Sequence, residues 1–260
     1  MADFLKVDVK HGLDQMLDGL EALDPRNIPF ATALALTRTA KAVEQYTREK
    51  MASHMDRPTP FTLNSLFTRP ATKQRLEAIV MFKDFAAKGA PAGKYLQPIT
   101  EGRTRGDKST ERKLKNAGVI RKDQYIVPAK NLGLNGYGNV PAARYVQILS
   151  YLKASGESGY LANRTAKSMA RNAKQKQFFV VQEDDKRSGL SRSLPPGIYE
   201  RLAGGGKGGK AVRMIFALVR QPKYAVKFPF YQEAQEQSVK LFPEQIKDAI
   251  EFVAKQPRRK

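Results

Sequence analysis

A chain of 260 residues with 41 % hydrophobic side chains can bury the core of one large domain or two modest ones, which excludes a disordered tail. Its 46 basic and 25 acidic side chains leave a formal charge of +21, a surplus that repels itself until a polyanion or an acidic partner neutralises it, and nucleic acid is the leading partner class. With no cysteine and only two distant histidines, His11 and His54, disulfides, thiolate nucleophiles and the usual zinc sites are excluded, and neither a metal nor a cofactor is expected.

The opening run MADFLKVDVKHGLDQML carries acids among its apolar residues and does not read as a signal peptide. The longest apolar run, MIFALV, is far short of a bilayer span, so a soluble protein made in a cytoplasm is expected. A helix is predicted over 27–55, with Asn27 as its cap, Pro29 in its first turn, and Phe30, Ala33, Leu34, Thr37 and Ala40 at helical spacing. Pro58 and Pro60 stop it. A strand follows in RLEAIVMFKDF, where Leu76, Ala78, Val80 and Phe82 alternate with Glu77, Ile79, Met81 and Lys83.

In EGRTRGDKSTERKLKNAG the front half reads as a basic loop, and Thr110 starts a short helix that ends at Gly118. QYIVP is a short strand and LGLNGYGNVP a glycine-rich turn region. The helix in PAARYVQILSYLKASG places Tyr145, Ile148, Leu149 and Leu152 on one face. QFFVVQE, GIYERLA and AVRMIFALVR then read as an antiparallel meander. Val239, Phe242, Ile246, Ala249, Ile250 and Val253 mark a closing helix that Pro243 kinks or subdivides. The predicted fold is α+β: a projecting N-terminal helical segment over 1–57, a basic body over 58–230, and a C-terminal helix with a basic tail over 231–260.

The charge is uneven along this order. Residues 1–60 hold 8 basic and 9 acidic side chains, and 231–260 hold 6 and 5, whereas 61–150 hold 16 and 6 and 151–230 hold 16 and 5. The ends therefore read as scaffold, and the middle faces something negative. Three basic clusters are candidate contacts for nucleic acid or an acidic partner, a solvated surface being the alternative for each. Arg164, Lys167, Arg171 and Lys174, with Lys176 beside them, share a helical face in the acid-free stretch 158–182. Arg103, Arg105 and Lys108 form the loop RTRGDK, and Lys207 and Lys210 form the tip of a hairpin in GGGKGGKA.

That last run fits the glycine and lysine positions of a nucleotide-binding loop. Ala211 stands where such a loop needs a magnesium-binding hydroxyl, however, and a strand is predicted where it needs a helix. Phe178, Phe179, Tyr199, Phe216, Phe228 and Phe230 read as core rather than base-stacking platforms, and Asp184 with Asp185 as a solvated turn. No nucleophile, acid and base set is apparent, and no enzyme is expected.

The prelude LDGLEAL, the helix IPFATALALTRTAKAV, the basic middle and the run GIYERLAGGGKGGKAVRMIFALVRQPKYAVKFPFYQEAQEQSV together resemble the minor tail protein Z family of tailed bacteriophages. The resemblance covers the two ends of the chain, and the middle is longer than in typical members. It implies a virion structural protein of the neck, acting in tail completion at the head-tail junction. The implied partners are further copies of itself, in a homo-oligomeric ring of six or twelve, other neck, portal or tail proteins, and DNA in the channel, with no membrane. A freestanding nucleic-acid-binding protein of sequence-independent affinity is the alternative.

Overall fold

Residues 5–6, 24–86, 89–130, 132–152, 154, 177–184, 194–202, 211–226 and 228–256 are described in this computed structural model. In chain order the elements are β1 (Leu5–Lys6), α1 (Ile28–His54), α2 (Pro60–Leu63), β2 (Leu66–Arg69), β3 (Ile79–Phe82), α3 (Ala92–Glu101), α4 (Ser109–Asn116), β4 (Tyr125–Pro128), α5 (Ala142–Tyr151), β5 (Gln177–Val181), β6 (Gly197–Arg201), β7 (Val212–Val219) and α6 (Phe230–Ala254). The fold is α+β, and the chain divides into two units. Met1–Arg103 with Tyr224–Lys260 form one, and Thr104–Lys223, inserted between them in sequence, form the other.

In the first unit α1 and α6 pack together along their lengths. Ala35, Ala40 and Val43 of α1 share a core with Ala234, Phe242, Ile246 and Ala249 of α6. Side chains this small let two helices approach toward the lower end of the usual spacing of about 8–10 Å. The three-stranded antiparallel sheet, in the order β1-β3-β2, adds Leu66 and Val80 to the same core, and the Phe82 and Phe230 rings lie 4.7 Å apart.

The α1 helix therefore does not project from a separate body, as the sequence suggested, but gives Ala35, Leu36, Ala40, Val43 and Met51 to this unit's core. Its buried line is also rotated from the predicted one. Ala33 and Ala40 lie on it, while Phe30, Leu34 and Thr37 are half-buried. The Thr37 hydroxyl nonetheless has a tertiary use, donating to the Ala33 carbonyl at 2.8 Å and accepting from the Ala71 amide at 3.1 Å. Asn27 occupies the cap position with helical backbone and makes no side-chain capping bond. The preceding turn is held instead by Asp24, whose backbone carbonyl accepts from the Asn27 amide and whose carboxylate takes Arg26.

The stop after α1 is as predicted, with Met55 extended ahead of Pro58 and Pro60. Pro60 then opens α2, where the Thr59 hydroxyl accepts from the Thr62 amide. At the C-terminal end, α6 runs through Pro243 as one helix; Phe242, Ile246, Ala249 and Val253 are buried, but Val239 is 45 % exposed.

The second unit is built on a four-stranded antiparallel sheet in the order β4-β7-β6-β5. The last three strands form the predicted meander, and β4 joins the outer side of β7, from Tyr125 opposite Val219 to Pro128 opposite Phe216. Leu114 of α4 and Ile148 and Leu149 of α5 pack with Ile126, Phe178, Ile198, Ile215 and Phe216 from the strands. The Tyr145 ring stacks on Phe216 at 5.5 Å. Of the six aromatic residues read as core, Phe178, Tyr199, Phe216, Phe228 and Phe230 are each at most 4 % exposed, and Phe179 is half-buried against Tyr199.

Candidate functional site

The basic loop 103–108 is where sequence and structure part most clearly. Arg103 ends the first unit's leading segment; its side chain is 64 % exposed and its Nε lies 2.7 Å from the Glu101 carboxylate. Arg105 belongs to the second unit and turns inward, at 8 % exposure. Its two terminal nitrogens donate to the two oxygens of Glu111, each at 2.6 Å. A guanidinium committed in this way has no fork left for a phosphate, so Arg105 is corrected from a partner contact to an internal tether.

Glu111 is fully buried on the inner side of α4 and collects more than Arg105. The Lys108 amide donates to it at 2.7 Å and the Ile126 amide at 2.9 Å, which ties the start of α4 to β4. Burial alone would push the Glu111 carboxyl up, but the Arg105 hydrogen bonds and the two amides hold it below the usual carboxylate range. The Tyr125 ring accepts two cations, with Lys115 Nζ 4.2 Å and Arg105 Cζ 5.1 Å from its centroid.

A second buried acid repeats the pattern on the sheet. Glu200 of β6 has no exposed surface, and its Oε2 accepts from Arg144 of α5 at 2.6 Å and from Arg213 of β7 at 2.7 Å. Burial raises its carboxyl, and Arg213 and Arg144 outweigh that to leave it depressed. The Arg144 guanidinium also lies over the Phe178 ring.

These pairings decide what the second unit shows to solvent. By sequence it holds 24 basic and 8 acidic side chains, a charge of +16, while the first unit holds 22 and 17, a charge of +5. Six of its acids are among the described residues. Asp107 pairs with Lys115, Glu111 with Arg105, Asp184 with Arg121, and Glu200 with Arg144 and Arg213, leaving Asp123 and Glu183 as exposed acids without an ion pair among the described residues. Lys108, Arg112, Lys113, Lys122 and Lys130 are exposed and carry no ion pair among the described residues. The Lys108 ammonium is pushed down by desolvation and by the nearby Arg105 charge.

Arg112 and Lys113 were not singled out from sequence, although the pattern was there. Leu114 is the one aliphatic residue of STERKLKN, so the side of the helix away from it had to be cationic. Arg164, Lys167, Arg171, Lys174, Lys176, Lys207 and Lys210 lie outside the described residues, as do His11 and Asp185. Around the glycine-lysine run, β6 and β7 pair from Arg201 opposite Val212, and the Leu202 amide reaches the Ala211 carbonyl at 2.9 Å. A strand stands where a nucleotide-binding loop needs a helix N-terminus.

In the first unit, a pocket of about 310 Å³ is lined by Pro60, Phe61, Asn64, Ser65, Lys83, Phe85 and Ala92. Its one charged group, Lys83, donates to the Asn64 carbonyl at 2.8 Å. His54 is exposed, with Nδ1 2.9 Å from the Lys50 carbonyl oxygen. Among the described residues, no three acids or histidines gather as metal ligands, and no helix is long and apolar enough to cross a membrane. No family model, no curated protein and no solved structure matches the chain.

Proposed function

We propose that the chain is a virion structural protein of a tailed bacteriophage, of the neck or tail-completion type. It assembles as a ring at the head-tail junction and turns its cationic surface toward channel DNA or acidic neighbouring proteins. The observation that carries this is the segregation of charge, with +16 on the inserted unit against +5 on the unit built around α1 and α6. A ring multiplies each subunit's weak phosphate contacts by its copy number, which turns exposed lysines and arginines into a positively charged collar. The exposed Phe61, Phe67 and Phe85 of the first unit suit subunit or neighbour contacts. The likeness of both chain ends to minor tail protein Z supports the same assignment.

Quantitative mass spectrometry of purified particles tests it. The chain is expected in the virion at a ring multiple, six or twelve copies. A freestanding nucleic-acid-binding protein, favoured by the same +16 charge, would be missing from particles and would bind duplex or RNA as a monomer or dimer. That result would overturn the virion assignment.

A further inference from the structure

The solvent side of α4 has an orientation fixed from within. Glu111 and Leu114, three residues apart on the helix, are both fully buried, one clamped by Arg105 and the other packed against the sheet. The opposite arc must then carry Ser109, Arg112, Lys113 and Asn116, and all four are exposed. Lys108, the extended cap residue just ahead of the helix, is exposed as well. Asp107, next to Lys108 in sequence, is occupied by Lys115 at 2.6 Å.

The far end of the helix is equally fixed. Gly118 adopts φ +67°, its amide bonds the Lys115 carbonyl at 3.0 Å, and the Val119 amide bonds the Leu114 carbonyl at 2.9 Å. This closes the helix with a left-handed cap and leaves Val119 against the Leu114 cluster. Holding the scaffold rigid costs entropy at folding rather than at binding, so only the cationic side chains remain to be ordered.

We infer that Lys108, Arg112 and Lys113 form a contact for the phosphate backbone of double-stranded DNA. This rests on the proposed exposure of the second unit to channel DNA and assigns that exposure to one helix. The chemistry of the face selects among anionic partners. A protein-protein interface of ordinary size has an apolar centre, and this arc has none, since its members are serine, arginine, lysine and asparagine. Those are the side chains that hold phosphates without reading sequence. Base stacking on a single strand would need an exposed ring, and the arc has no aromatic residue.

The test is fluorescence anisotropy with two unrelated duplexes of about 30 base pairs, comparing the full chain with the double variant Arg112→Gln/Lys113→Gln between about 50 and 200 mM salt. Both substitutions are on the exposed side, and an unchanged melting temperature confirms the fold. The wild type should bind both duplexes alike. The variant should bind both roughly tenfold more weakly, with the slope of log K against log salt reduced by about 1.8, near 0.9 for each lost phosphate contact. The inference is overturned if the wild type binds neither duplex, if the variant keeps the wild-type slope, or if the loss appears only against polyglutamate, which would make the partner an acidic protein. Particle copy number separates this from the virion assignment: a failed α4 contact leaves the wild-type chain in virions at a ring multiple, whereas a failed assignment leaves it out of them.

Discussion

Arg105 and Glu111 meet as two parallel hydrogen bonds of 2.6 Å each, with the carboxylate fully buried and the arginine side chain 10 % exposed. The basic loop 103–108 thus spends its central cation on holding α4 in place. Such a pair is costly to desolvate and costlier to break.

Removing one partner leaves the other charged and buried. Arg105→Met or Glu111→Leu alone is expected to destabilise the second unit by about 3–5 kcal/mol, and Arg105→Met/Glu111→Leu by far less than the sum of the two. Urea denaturation of the four proteins measures the coupling. Additive losses would mean that the pair does not act as a unit.

Acid should weaken the fold through the same carboxylates. Glu111 and Glu200 both titrate below their ordinary range in the folded chain. Their stabilisation is therefore fully present above the unfolded value of about 4.3 and is lost as pH falls through the lower folded values. Thermal melts from neutral pH downward should show a decline that begins near pH 4 and is shallower in Glu111→Gln and Glu200→Gln, each less stable at pH 7. Parallel curves for variant and wild type would contradict this.

The packing of α1 against α6 leaves no room at Ala40, which has no exposed surface. Ala40→Leu forces three further carbons between the helices and is expected to cost about 1–3 kcal/mol. Lys41→Ala, on the exposed side one residue on, should stay within about 0.5 kcal/mol. Equal effects in thermal denaturation would place the interface elsewhere.

Much of this fold could be read from the residues because it is periodic. The α1 and α5 helices, the β5-β6-β7 meander and the strand after Ala211 follow from apolar spacing and turn residues. The segment Ala92–Glu101 is helical although Pro98 lies inside it, with Leu96 and Pro98 turned into the core, and local propensity does not foresee that. The two-unit division was hidden for another reason. The expected division after residue 57 falls inside the first unit, where α2 and β2 follow directly, and α1 finds its partner some 200 residues away, in the segment after Tyr224. At the candidate site, the positive charge of the loop was visible but its direction was not. Arg105 and Lys108 look alike in sequence, and only the placement of Glu111 on the inner side of α4 sends one inward and leaves the other at the surface.

Nucleotide should find no site at 204–211. Magnesium adenosine triphosphate at millimolar concentration is expected to leave the melting temperature unchanged, and no hydrolysis should be detected. A rise in melting temperature that Lys210→Ala abolishes would reinstate a phosphate loop.

Lysine labelling of intact particles, set against the free chain, probes the proposed role most directly. Lys108, Lys113, Lys122 and Lys130 of the second unit should be protected in the virion and reactive in the free protein, while exposed first-unit lysines such as Lys41 and Lys240 should change little. Equal labelling of both units in the two states, or a virion without the chain, would contradict a subunit that turns its inserted, basic unit toward an enclosed anionic surface.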